Sequence, residues 1–170
     1  MNEEIKVCAA KESEKEIIRN LLEKYLCELS QYDGRGVNAF GLYGYRYLDN
    51  YWTEKERRPF LIYTDGKIAG FALVGENPRV FQNAKYSMNE FYILPPYRRK
   101  NFGTQAVNRL FEQFRGLWEI ACHPKNAAAN AFWEKLIDEY TDGDFTKLQM
   151  CGAVSYPDGS NANAWCFSTL

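Results

Sequence analysis

The chain has 170 residues, of which 46% are hydrophobic and 25% are charged, and its formal net charge is -1. This is the composition of an ordinary globular domain, and the balanced charge offers no global basic field for nucleic acid or anionic lipid. No apolar run reaches the roughly 18 residues that a membrane span needs. We therefore expect a single domain over residues 1–170 that binds neither nucleic acid nor membranes.

The cysteines and the first four residues indicate the cellular compartment in which the protein is expected. Five cysteines are scattered along the chain without close pairs. A zinc site needs close ligand pairs and a disulfide framework is typical of short secreted chains, so we expect no metal site and reduced thiols packed as small hydrophobes. The acidic start at residues 1–4 differs from a signal peptide. These features predict a cytoplasmic protein.

The first half of the chain predicts a strand, two helices and a hairpin. Residues 5–9 are typical of a strand, and Ser13 with Glu16 matches a capping box before a run of apolar residues at helical spacing. Residues 31–52 are rich in glycine and aromatic residues and are predicted to hold a short second helix between loops. Two further strands meet at Asp65-Gly66, a strong hairpin signal.

The second half alternates strands and helices. A strand over residues 85–93 is stopped by two prolines, and a helix with apolar residues at helical spacing opens at Gly103. A short strand at 118–122, an alanine-rich helix at 126–136 and strands at 145–150 and 164–168 complete the chain. This order predicts an α/β (α+β) fold, with a mixed sheet and helices on both faces.

The stretch from residue 90 to residue 104 is the most informative part of the sequence. A strand ends, a basic turn follows, and Gly103 leads into a helix. The first amides of a helix have no internal partner and the helix dipole is positive there, so such a turn suits a phosphate or pyrophosphate. The alternative is a solvated basic turn. The residues that would add charge are Arg98, Arg99 and Lys100.

A second motif lies on the alanine-rich helix. It reads Asn126-Ala127-Ala128-Ala129-Asn130-Ala131-Phe132-Trp133-Glu134-Lys135 and follows a short strand. Small residues would let a ligand pass close to the helix, and Asn126 would cap the helix or contact the ligand. By itself, this motif fits an alanine-rich amphipathic helix without a ligand better than a binding element.

Together the two motifs resemble the GNAT superfamily of N-acetyltransferases, and within it a bacterial branch of predicted acetyltransferases. The family's turn has the pattern Arg/Gln-x-x-Gly-x-Gly/Ala, with Arg98 at the first position here and Gly103 at the last. Asn101 stands where the middle glycine is usual, and asparagine is the residue that best tolerates a positive φ in its place. The later motif is similar to Asn-x-x-Ala-x-x-Phe-Tyr-x-Lys. The resemblance covers nearly the whole chain.

The resemblance implies a mostly antiparallel central sheet in which two parallel strands, 85–93 and 118–122, splay apart to form an acyl-CoA cleft. Acetyl-CoA would be the co-substrate, and an amine would attack its thioester directly in a ternary complex, with a backbone amide near Ile93 polarising the carbonyl. The residues that the resemblance assigns to cofactor binding are Phe91, Tyr92, Ile93, Arg98, Arg99, Lys100, Asn101, Phe102, Gly103, Thr104, Asn126, Phe132 and Trp133.

Proton transfer needs other residues. In many family members a tyrosine takes the position of Trp133 as the proposed acid, and an indole cannot act as one. Glu90 and His123 are the catalytic candidates, because a carboxylate beside an apolar cleft and an imidazole both suit proton transfer near neutral pH. A tyrosine from residues 31–52 is a third candidate. Each of these also has a purely structural interpretation, and Cys122 is disfavoured as a nucleophile.

The acceptor is expected to be a small-molecule or peptide amine, held by aromatic rings of segment 31–52 with Asp33, Asp49 or Glu54 opposing its charge. Two other functions stay open at this point. One is a non-catalytic acyl-CoA-binding regulatory module of the same fold, and the other is a nucleic-acid-binding domain using the turn at residues 98–100. The protein is expected to be a monomer or a homodimer.

Overall fold

The computed structural model describes residues 4–170, which form seven strands and four α-helices. The elements are β1 (Ile5–Ala9), α1 (Lys15–Asp33), α2 (Asn50–Thr53), β2 (Arg57–Thr64), β3 (Lys67–Gly75), β4 (Tyr86–Ile93), α3 (Phe102–Gln113), β5 (Leu117–Cys122), α4 (Ala127–Thr141), β6 (Phe145–Ser155) and β7 (Asn161–Ser168).

One sheet contains all these strands, in the order β1-β2-β3-β4-β5-β7-β6. Within residues 4–170, β4 and β5 form its single parallel pair, and the other neighbours are antiparallel. Parallel neighbours need a crossover connection, which α3 supplies here. The predicted mixed α/β fold is confirmed.

The two faces of the sheet carry separate helices. Alternate residues of each strand point to opposite faces, so Leu61 and Phe71 pack against α1 and α2, whereas Phe60 and Ala72 pack against the other face. That other face is covered by α3 and α4 around the fully buried Trp118. Helices therefore lie on both faces of the sheet, as predicted.

The hairpin turn predicted from the sequence is present, but the predicted N-terminal cap of the first helix is not. Asp65 and Gly66 have φ values of 49° and 73°, the left-handed pair that a tight hairpin turn requires. The predicted capping box at Ser13 is wrong, because residues 12–14 form a 3-10 turn and α1 begins only at Lys15. The reciprocal bond comes earlier, with the Lys11 amide donating to the Glu14 carboxylate at 2.8 Å.

Two other expectations concern the surface. All five cysteines are free thiols, but Cys8 on β1 and Cys27 on α1 are exposed, so the prediction that the thiols pack as small hydrophobes holds fully only for the buried Cys122 and Cys166. None of the helices within residues 4–170 is long and apolar enough to cross a membrane.

Candidate functional site

The sheet opens between β4 and β5. The two strands pair only from Tyr86–Trp118 to Met88–Ile120, although β4 continues to Ile93 and β5 to Cys122. Opposite this point, the register of β3 and β4 shifts between Leu73 and Val74. Such a bulge bends a strand and ends its pairing. The predicted separation of the two parallel strands is therefore present.

Backbone groups of β4 face the opening. The Leu94 amide donates to the Ala69 carbonyl at 2.8 Å. In an antiparallel pair such residues alternate with residues whose backbone groups point away. Phe91 and Ile93 are out of phase with Leu94, so their backbone groups point towards the gap. An extended ligand would find both amides and the Phe91 carbonyl there, whereas the Ile93 carbonyl accepts the Arg98 guanidinium.

The turn before α3 has the conformation that the sequence predicts. Asn101 adopts φ 63° and ψ 8°, and Arg99 also has a positive φ of 58°. The first intrahelical bond runs from the Gln105 amide to the Asn101 carbonyl at 3.1 Å, and the Asn101 side chain makes no capping bond. The amides of residues 102–104 thus precede the helical ladder. Such an N-terminus suits an anion, and the exposed Arg99 and Lys100 stand beside it.

Arg98 does not contribute its charge to this turn in the way the sequence suggests. Its guanidinium donates to the Ile93 carbonyl at 2.7 Å and to both carboxylate oxygens of Glu28 on α1, at 3.0 and 2.9 Å. The guanidinium also lies over the Tyr92 ring. Arg98 ties the turn to α1. Phe102 is likewise a core residue, 4% exposed, so only its backbone is available to a ligand.

Gly103 brings α3 close to α4. A Cβ at this position would lie 3.3 Å from the Phe132 ring, and Phe132 stacks on Phe91 of β4 at 6.0 Å. Trp133 is buried against the same Phe91 ring. The Asn126 side chain caps α4 by accepting the Ala129 amide at 3.1 Å. Of the two roles that the sequence left open for Asn126, capping is the one present.

Glu90 lies on the opposite face, where β4 leaves β5. It is two residues before Tyr92, which packs against α1, so its side chain points to the same side. The Tyr45 hydroxyl donates to the Glu90 carboxylate at 3.2 Å. Burial raises the pKa of Glu90 above its usual range, while the Tyr25 and Tyr45 hydroxyls oppose the shift as hydrogen-bond donors. The pKa of Glu90 is thus raised, as expected from the sequence, while its role as a base stays a prediction.

His123 is buried rather than exposed, and both of its ring nitrogens are engaged. Nδ1 accepts the Lys125 amide at 3.1 Å, and Nε2 faces the Asp158 carboxylate at 3.3 Å. With Nδ1 as acceptor, Nε2 carries the proton and donates to Asp158. With both nitrogens engaged in this way, neither offers a free lone pair to a substrate, and the role of His123 as a base stays a prediction without support from its contacts.

The carboxylates predicted to face the acceptor have partners within the protein. Asp33 is buried and accepts the Arg35 guanidinium, Asp49 pairs with Lys15 at 3.0 Å, and Glu54 pairs with Arg57 at 2.6 Å. The short helix that was predicted within residues 31–52 is α2, which lies at the end of that segment. Of the segment's tyrosines, Tyr45 contacts Glu90, and the Tyr51 hydroxyl accepts a bond from Asn89 at 2.8 Å.

Several residues around Glu90 gave no signal in the sequence. Tyr25 lies in the middle of an amphipathic helix, and its role depends on β4, 65 positions away along the chain. Tyr156 lies on the hairpin between β6 and β7, with its ring 4.5 Å from that of His123. Arg35 and Arg79 are close enough to Glu90 to lower its pKa. These contacts join elements that only the folded sheet brings together.

The loop between β3 and β4 is fixed over this face by Glu119. That carboxylate, on β5 and 3% exposed, accepts the amides of Arg79, Val80 and Phe81 at 2.8, 2.8 and 2.7 Å. Consecutive amides that converge on one anion form a nest. The nest holds the loop, and Arg79 with it, next to the opening between the strands.

The site therefore has two sides. On the α3 and α4 side, a helix N-terminus that suits an anion and the backbone amides of Phe91 and Ile93 suit a long phosphorylated ligand. On the α1 side, a carboxylate with a raised pKa and several tyrosines suit proton transfer with a second ligand. The opening between β4 and β5 connects the two, so that an acyl group carried from one side would meet a nucleophile from the other.

Comparison with known proteins agrees with this geometry. The model of the acetyltransferase (GNAT) family matches residues 19–137. An acetyltransferase from Salmonella typhimurium that modifies the N-terminal serine of 50S ribosomal subunit protein L7/L12 has a similar structure, with a TM-score of 0.69 and 15% identity over 99% of this chain and 96% of that chain. No curated protein sequence matches the chain.

Two further structures contain ligands. Spermidine N-acetyltransferase from Vibrio cholerae, in complex with CoA and spermine, has a TM-score of 0.64 and 11% identity over 97% of this chain and 95% of that chain. The Salmonella typhimurium protein yncA, with its cofactor acetyl-CoA, has a TM-score of 0.64 and 14% identity over 98% of this chain and 94% of that chain. At this identity the likeness shows the fold. The family match covers most of the chain, which belongs to the GNAT acetyltransferase family.

Proposed function

We propose that the protein is an acetyl-CoA-dependent N-acetyltransferase that moves the acetyl group to a primary amine by direct attack in a ternary complex. The observation that carries this proposal is Glu90: a carboxylate with a raised pKa lies where β4 leaves β5, on the side of the sheet opposite the anion-binding turn. Family membership supports the acetyl transfer itself. The direct attack is supported by the separation of β4 from β5 beyond Met88 and Ile120, which lies between the turn before α3 and Glu90.

The residues around the α3 turn fit acetyl-CoA as the co-substrate. The amides of Gly103 and Thr104 and the charges of Arg99 and Lys100 would hold the pyrophosphate. The amides of Phe91 and Ile93 and the Phe91 carbonyl would bind the pantetheine arm as an added strand does. When bound, acetyl-CoA supplies an acyl group activated as a thioester.

Glu90 would remove the proton from the amine, directly or through a water molecule. A primary alkylamine has a pKa near 10.4, so only about one molecule in a thousand is neutral at pH 7. A carboxylate whose pKa is raised is a better base near neutral pH than an ordinary one. Tyr45, which donates to Glu90, would hold the carboxylate in place.

The groups on the α1 side of the opening favour an amine acceptor but do not select one kind of amine. Aromatic rings and the Glu90 carboxylate, which forms no salt bridge among residues 4–170, suit a cationic amine before its deprotonation. Two of the structural neighbours act on a polyamine and on a protein N-terminus. We therefore propose a small-molecule or peptide amine, which leaves both kinds of acceptor for the assay.

Cofactor binding is tested first, by thermal unfolding with and without acetyl-CoA. A ligand at a hundredfold excess over its dissociation constant stabilises the folded state by about 2.7 kcal/mol. We expect acetyl-CoA to raise the melting temperature, and a truncated pantetheine thioester without the pyrophosphate to raise it less. Folded protein whose melting temperature does not change at millimolar acetyl-CoA would overturn the proposal.

Activity is tested by release of the CoA thiol over a panel of spermidine, free amino acids, aminoglycosides and short peptides beginning with serine or alanine. With the best acceptor, Glu90→Gln should lower kcat by about 100-fold or more near neutral pH, because general base catalysis contributes that much. Acetyl-CoA binding should be unchanged. Glu139→Gln, at an exposed position of α4, is the matched control and should retain full activity.

A further inference from the structure

The hairpin between β6 and β7 is fastened to the end of β5. Its Asp158 carboxylate accepts the Lys125 ammonium at 2.7 Å and the Ser160 amide at 2.9 Å, and it faces His123 Nε2. The Tyr156 amide closes the hairpin by donating to the Ser160 carbonyl at 2.9 Å. These bonds fix the hairpin, and therefore the backbone of Tyr156, relative to one wall of the opening.

Packing fixes the Tyr156 ring as well. The ring lies 4.5 Å from the imidazole of His123, and Tyr32 of α1 stacks on that imidazole at 6.1 Å. His123 directly follows Cys122, the last residue of β5. Tyr156 thus lies at the end of the β5 wall, whereas Glu90 lies on the β4 wall, with the opening between them.

The Tyr156 hydroxyl is the free part of this arrangement. Among the hydrogen bonds of residues 4–170, none uses it, whereas the hydroxyls of Tyr45, Tyr51 and Tyr92 all have partners. Burial raises the pKa of Tyr156 above its usual range, so the phenol keeps its proton throughout the neutral range. The titratable or charged groups that face it are Cys122 of β5, His123 directly after β5, Glu90 of β4, Tyr25 of α1, Arg35 after α1 and Arg79 of the β3–β4 loop.

Resting on the proposed function, we propose that Tyr156 is a catalytic residue that donates its hydroxyl proton to the departing CoA thiolate. The amine nitrogen forms a bond to the acetyl carbon, the carbon–sulfur bond breaks with its electron pair leaving on sulfur, and the Tyr156 proton passes to that sulfur. Glu90 takes the proton that the amine nitrogen loses and returns it to the Tyr156 phenolate. The products are the amide and the free thiol, and both side chains end in their starting state.

The other groups near the opening do not fit this role. Trp133 has no acidic proton, and both nitrogens of His123 are engaged. Cys122 is buried and has a pKa raised to about 12, but its side chain packs in the core with α3 and α4. Tyr156 alone combines a fixed ring, a free hydroxyl and a position across the opening from Glu90, within the described residues.

The first test compares Tyr156→Phe with Tyr32→Phe. Both variants keep a ring against His123, but only the first removes the proposed donor. We expect Tyr156→Phe to lower kcat by about 100-fold, the usual contribution of a general acid, with acetyl-CoA binding and thermal stability unchanged. Tyr32→Phe should retain activity. Equal activity of Tyr156→Phe and wild type, in an active wild-type enzyme, would overturn the inference and leave the proposed function standing.

The second test separates a proton donor from a structural ring. A polyfluorinated tyrosine at position 156 lowers the phenol pKa and so brings its ionisation into the measurable range. If the protonated phenol is required, the rate should fall at alkaline pH in this variant but not in wild type or in the same replacement at position 32. A pH profile identical to wild type would overturn the inference. Wild type that releases no thiol with any amine of the panel would overturn the proposed function itself.

Discussion

Glu119→Gln tests how the loop between β3 and β4 is held over the site. One oxygen of the buried carboxylate accepts the Arg79 amide, and the other accepts the amides of Val80 and Phe81. Glutamine keeps the shape of the side chain but replaces one acceptor oxygen by a donor group. The new NH₂ group would face a backbone N–H, so at least one of the three bonds is lost outright.

The size of the effect follows from these bonds. A hydrogen bond to a charged acceptor contributes roughly 1.5–3 kcal/mol, and a neutral acceptor gives about half as much. Losing one bond and weakening two therefore costs about 4 kcal/mol. Because the neutral amide is easier to bury than the carboxylate, we expect a net loss of about 3 kcal/mol in the free energy of unfolding. For a chain of this length that corresponds to a decrease of roughly 6–12 °C in melting temperature.

Urea unfolding monitored by tryptophan fluorescence measures this free energy, with Glu139→Gln as the control. Glu139 lies on the surface of α4, 3.8 Å from Lys135, and its substitution should change the free energy by less than about 0.5 kcal/mol. If Glu119→Gln costs under about 1 kcal/mol, the three amides do not depend on the carboxylate charge and the reasoning is wrong. Full stability with an unchanged KM for the acceptor would likewise show that other contacts hold the loop.

Three further predictions address the strand pair, the turn and the base. Gly70→Ala should destabilise the protein by at least about 2 kcal/mol in urea unfolding, because its Cβ would lie 2.1 Å from the Tyr92 carbonyl oxygen, whereas Gly152→Ala, with open space around it, should have little effect. Asn101→Gly should preserve or improve the acetyl-CoA-induced shift in melting temperature, since φ at this position is 63°; loss of the shift would mean that the Asn side chain itself contacts the ligand. For Glu90, a folded-state pKa above the unfolded one means that the folded state binds the extra proton, so stability falls as pH rises from 4.5 through the raised pKa. Glu90→Gln should remove that part of the pH dependence, and unfolding curves of both proteins that stay parallel from pH 4 to 8 would contradict it.

The sequence determined most of the secondary structure, because its signals are local. The Asp65-Gly66 turn requires two left-handed residues, and the helical spacing of apolar residues in α1 and α3 is set by the helix period. The predicted capping box failed because a neighbouring pair forms the bond instead. The Lys11 amide donates to the Glu14 carboxylate, in place of the bond expected between Ser13 and Glu16. Three elements, α4, β6 and β7, extend beyond the predicted bounds. The helical hydrogen bonds of α4 and the pairing of β6 with β7 continue there without a distinctive local pattern in the sequence.

The sequence also predicted the conformation of the turn before α3 and the surroundings of Glu90. Asn101 was expected to take a positive φ because its side chain tolerates that conformation, and it does. Glu90 was expected to have a raised pKa because its strand borders an apolar cleft, and burial does raise it. Both expectations depend on residues close together in the chain and on the resemblance that places them on a strand and a turn.

Only the tertiary structure decided which side chains are free to act. Arg98 is engaged by Glu28, 70 positions earlier, and His123 by Asp158, 35 positions later, so two residues assigned to the site by their type bind other parts of the protein. Tyr156 gained its place because the β6–β7 hairpin folds back onto the end of β5. Residue type and spacing specify which elements form. The partner of a long polar side chain depends instead on which distant elements the sheet brings within hydrogen-bonding reach, and no local pattern in the sequence encodes that.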